Sequence, residues 1–194
     1  MAIRVKSKWH NRDAPKSPYQ VATVIASLIF RVAEEKVTHM QQKDFEIASS
    51  AQGFAMIAEY IAFLVQYTDR FVHAHVEDEY RSELINIMAK RLAEILEDNQ
   101  IAHMGPSTDN YQKSFINLLV ERMADYATFE YENGEPNYPC RRFLGSKILD
   151  QMPKRDHSWT IDQVVEIEIP NALLLLKRGL DGLFSEDSGT LNPA

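Results

Sequence analysis

Residues 19–33 read YQVATVIASLIFRVA, an apolar run broken only by Gln20, Thr23, Ser27 and Arg31. With Glu34, these polar residues are spaced 3, 4, 4 and 3 apart, the period of an α-helix and not of a strand. A helix that is polar along one thin stripe and apolar elsewhere is buried by neighbours on several sides. The segment is therefore expected as the central helix of a bundle or in a subunit interface. Ser17 suits the N-cap and Pro18 the first helical position, and the helix should run to about Gln41.

The same character extends outward. From Tyr19 to Met104 there is no proline and a single glycine, Gly53. Strands and turns rarely go so long without a breaker. Over all 194 residues, 7 Gly and 8 Pro make roughly 8% of the chain, against about 12% in average proteins. Such a shortage argues against an all-β sandwich or barrel. With 45% apolar and 25% charged residues, the composition is that of a globular chain.

A second helix is expected from Phe45 to His73, capped by Asp44. It carries a stripe of small residues, Ala51, Ala55, Ala58 and Ala62, beside a large apolar face of Phe54, Ile57, Ile61, Leu64 and Val65. His73 and His75 suit a helix C-terminus, and Glu77, Asp78 and Glu79 an N-terminus, so a break falls at residues 74–77. A third helix follows from Asp78 to Glu97 and a fourth from Asn110 to Tyr131. A loop with Asn133-Gly134 leads to a fifth, from Cys140 to Gln151. Thr160 and Gln163 read as a capping box opening a sixth helix, which Pro170 should kink or split. Val165 to Ile169 alternates like a strand, but an isolated strand has no partner, so it is read as helix. The expectation is an all-α, single-domain bundle of about six helices over residues 17–184, elongated or bent. A flexible basic arm (1–16) should precede it and a disordered tail (185–194) follow it.

The net charge is −7, unevenly placed: the first 16 residues carry +4 and the remainder −11. An acidic body repels phosphate, which argues against nucleic acid or acidic membrane surfaces as partners. The N-terminus lacks an apolar signal segment, no stretch is long enough to span a bilayer, and Cys140 is the single cysteine. A reducing, cytoplasmic setting is the natural expectation.

Specific catalytic signatures are absent. The sequence has no glycine-rich phosphate loop, no Gly-x-Ser-x-Gly elbow, no His-Glu-x-x-His and no paired cysteines for zinc. No Glu is followed three residues later by His, as a di-iron bundle requires. No cofactor is expected. Three weaker sites remain. Arg31, Glu35, His39 and Glu59 could line a polar slot for a small ligand or a metal, since Glu35 and His39 stand at i and i+4. His73, His75 and Glu77 are further candidate metal ligands, although residues at i and i+2 converge only where the helix is broken. Cys140, followed by Arg141 and Arg142 at a helix start, would have a depressed thiol pKa if exposed and could serve a thiol-dependent enzyme. The leading expectation is a non-enzymatic association module. It would pair with itself through the apolar first helix and the Ala-lined second, or with another protein.

Overall fold

The computed structural model describes residues 17–108 and 110–184; the expected arm and tail lie outside these residues. The chain is all-α apart from one small hairpin. In order, it forms α1 (Pro18–Gln42), α2 (Ser50–His73), α3 (Asp78–Met104) and α4 (Tyr111–Ala127). The hairpin β1 (Tyr131–Glu132) and β2 (Glu135–Pro136) leads to α5 (Tyr138–Leu149). A 3-10 turn (Lys154–Asp156), α6 (His157–Asp162), a π-helical turn (Gln163–Glu168) and α7 (Ile169–Phe184) complete it.

Local chemistry sets the boundaries. Ser17 Oγ accepts from the Gln20 amide while Gln20 Oε1 accepts from the Ser17 amide, closing a capping box over α1. The expected break falls where the charges place it, with Ala74 ending α2 and Glu77 preceding α3. Asp44 does not cap the second helix. It takes a left-handed φ of 65° in the turn that follows α1. Ser49 caps α2 instead, accepting from the Gln52 amide. The intervening residues are held off the helix by Gln52, which accepts from Ala48 N and donates to the carbonyls of Glu46 and Gln151.

Further along, α3 outruns its expected end to Met104, where Gly105 turns away at φ 83°. The Asn133-Gly134 pair takes positive φ at both residues (53° and 81°). This is the geometry a two-residue hairpin demands, so β1 and β2 pair across it where a loop was expected. Asn137 caps α5 through Cys140 N, starting that helix two residues before Cys140. The last helix opens at His157, so Thr160 lies inside it and donates to the Asp156 carbonyl. Pro170 does not end it. A π-helical turn immediately precedes this proline, which has no N–H to give, and the chain continues helical to Phe184.

α1 packs against α2, α3 and α7, so most of its apolar girth is consumed inside the bundle. Ala22, Ile25, Ala26, Ile29, Ala33 and Met40 are fully buried. Each large aliphatic side chain so buried contributes about 1.5–3 kcal/mol. The polar stripe faces outward, with Ser27, Arg31 and Glu34 exposed. Leu28 lies against Gly179 and His39 against Glu168, so α1 and α7 run antiparallel. At Gly145 a Cβ would come within 3.4 Å of Ile161 and Val165, and this close approach seats α5 on the last helix. No described helix is long and apolar enough to cross a membrane.

Candidate functional site

The four residues of the expected polar slot have separate engagements. Arg31 is exposed, not half-buried, because the stripe that carries it faces outward. Glu35 is exposed and accepts from Lys36 Nζ at 3.1 Å. His39 turns away from Glu35: its Nδ1 lies 2.7 Å from Glu168 Oε1 on the π turn. Glu59 is buried between α2 and α4, where both its oxygens take a bidentate pair from Arg122 (2.8 and 2.9 Å). That pairing, above all its hydrogen bonds, raises the Arg122 guanidinium well above its ordinary range.

The second histidine cluster is likewise dispersed. The backbone breaks after His73, as convergence would need, but His73 Nδ1 lies 3.7 Å from Asp78. His75 stacks on Phe71 and its Nδ1 lies 2.7 Å from the Phe71 carbonyl. Glu77 stands exposed ahead of α3 and makes no capping bond. Among the described residues, no three His, Cys, Asp or Glu side chains are grouped to hold a metal ion.

Cys140 occupies the expected first turn of α5, but the thiol is buried. Burial pushes its pKa up to about 11, outweighing the opposing pull of Tyr131, Arg141 and Arg70. The helix terminus and cations foreseen in the sequence are present. Desolvation outweighs them and favours the neutral thiol.

Among the described residues, clefts open at the surface. One, of about 390 Å³, lies between the end of α1, the start of α2 and the end of α3, and is lined by Thr38, Ser49, Phe54, Asn99 and His103 among others. Another, of about 360 Å³, runs between the hairpin, α5 and α7. Its floor is apolar (Pro136, Ile169, Pro170, Leu173 and Leu174), and its charged rim is Glu135, Arg141 and Lys177. Leu174 of this lining is 50% exposed, and Ile167 on the π turn is 41% exposed.

No family model, curated protein or solved structure matches the chain.

Sequence reasoning missed Glu168, Arg122 and the lining of the α7 groove. Glu168 could have been sought, because it falls at helical spacing from Val164, Val165 and Ala172, whereas Glu166 lies on the opposite, exposed face. Arg122 could have been sought, because Glu59 sits on the apolar face of α2 and a buried carboxylate needs a cation.

Proposed function

We propose that this chain is an association module that pairs with a second copy of itself through the groove between the hairpin, α5 and α7. The observation that carries this reading is the coincidence of an apolar groove with an exposed apolar ridge on the same helix. An isologous contact needs one patch to supply both halves of the fit. Here Leu174 stands 50% exposed as a knob, and Pro136, Pro170 and Leu173 form the hollow beside it. The rim also carries both signs of charge: Arg141 and Lys177 against Glu135. The route through α1 and the alanines of α2 is less favoured. Most of the apolar face of α1 packs on α2, α3 and α7, leaving Tyr19 and Val24 exposed, and of the four alanines Ala62 is buried.

Sedimentation velocity tests the reading. The wild-type chain should sediment as a dimer at concentrations of about 10 μM, an association of roughly −7 kcal/mol or stronger. Leu174→Glu should sediment as a monomer with unchanged helical dichroism. A wild-type chain that stays monomeric to about 100 μM overturns the proposal.

A further inference from the structure

His39 differs from the other described histidines in what lies behind its ring. His75 and His103 rest Nδ1 on backbone carbonyls (2.7 and 2.8 Å), His157 rests Nε2 on the Met152 carbonyl, and His73 lies near Arg81 and Asp78. His39 alone of these rests Nδ1 on a fully buried carboxylate, Glu168, at 2.7 Å. Gln163 Nε2 donates to the same Oε1 at 2.7 Å and holds it toward the ring. Glu168 Oε2 is buried without a hydrogen-bond partner. Tyr60, buried below on α2, feels the Glu168 charge but donates its hydroxyl to Met40 Sδ. The His39 side chain keeps 32% of its surface exposed. Because Nδ1 faces the buried acid, the edge open to solvent is the one bearing Nε2.

We propose that His39 Nε2 is a nucleophilic acceptor for acyl groups from small activated esters and anhydrides. With Nδ1 protonated, the Nε2 lone pair adds to the carbonyl carbon, and the bond to the leaving oxygen breaks with its electron pair. The ring becomes cationic as this happens. The Nδ1 proton stays on the ring, held by Glu168 Oε1, and the departed anion takes the proton that hydrolysis releases. Water then cleaves the N–acyl bond, releasing the carboxylic acid and restoring the imidazole. Two features favour the developing positive charge: the Glu168 carboxylate and the position of His39 in the last turn of α1, at the negative end of the helix dipole. Both would repel a phosphoryl dianion, which is why an acyl donor fits better. The charged groups within one turn are Glu35 and Lys36, which pair with each other, and Lys43 at the C-cap of α1. His39 is the catalytic residue of this step, and Glu168 is a positioning residue.

Diethyl pyrocarbonate tests the proposal on the wild-type chain at about pH 8, where an ordinary imidazole is neutral. The rate of ethoxycarbonylation at each histidine is read by mass spectrometry of the peptides. His39 should react about tenfold faster than His75 and His103, because the buried carboxylate against Nδ1 stabilises the cation that forms on attack. Exposure alone dictates the opposite order, since His39 is half-buried and the other two are exposed. Glu168→Gln should slow His39 by about tenfold and leave His103 unchanged. Release of p-nitrophenolate from p-nitrophenyl acetate should fall in His39→Gln and persist in His103→Gln. A His39 rate equal to or below that of His103 overturns the proposal, and that comparison needs no variant to fold.

Discussion

Glu59 and Arg122 show what a single pair of residues decides in this bundle. The carboxylate and the guanidinium are 4% and 9% exposed and meet through two hydrogen bonds between α2 and α4. Removing one partner strands the other in a medium that cannot solvate it. Glu59→Ala should therefore cost roughly 3–5 kcal/mol in a guanidinium melt. Glu59→Leu combined with Arg122→Met should recover most of that loss, because two apolar groups of similar volume leave no buried charge behind. Cys140 gives a second test. Its folded thiol titrates near 11 against an ordinary 9.0. Iodoacetamide at neutral pH should label it only after denaturation. The stabilisation from keeping the thiol neutral is complete below about pH 9 and is lost as pH rises toward 11. The residues flanking Cys140 were visible in the sequence. The depth of the thiol was not, because it depends on α2, α4 and the hairpin closing over it.

At the scale of elements the breaks were legible, whereas Asp44 and Thr160 do not act as the caps their residue types suggest. Ser17, Pro18, the 74–77 charge reversal and Asn110 sit where the sequence places them, since each acts within one turn. The π turn does not follow from local pattern. Across it the buried positions Val164, Val165, Glu168, Ile169 and Ala172 keep a spacing of three to four, so Glu168 faces inward while Glu166 stays outside. The contact between α5 and the last helix gives a prediction at this scale. Gly145 leaves only van der Waals room for Ile161 and Val165. Gly145→Leu should force these helices apart and destabilise the protein by roughly 1–3 kcal/mol, read as a lowered denaturant midpoint.

For the whole molecule, the antiparallel seam of α1 on α7 is the decisive feature. It closes α1 on the side that α2 and α3 leave open, while Leu174 on α7 stays half exposed. The proposed pairing has a charge-exchange test. Glu135 and Lys177 lie 3.8 Å apart on the rim, both about half exposed, so exchanging either changes fold stability little. Glu135→Lys and Lys177→Glu should each weaken self-association, and a mixture of the two variants should form the heterodimer. Sedimentation of the separate and mixed variants decides this.

Residue types and their spacing were enough for the all-α class, the Ser17–Pro18 start of α1 and the break at 74–77. Those follow from backbone preferences and side chains no more than four residues apart. Tertiary structure alone decided which polar groups would meet: His39 with Glu168 across 129 residues, Glu59 with Arg122 across 63. It also decided whether Cys140 would see water. The physical reason is that a buried charge or thiol takes its properties from whatever the fold packs against it, and those partners come from distant helices.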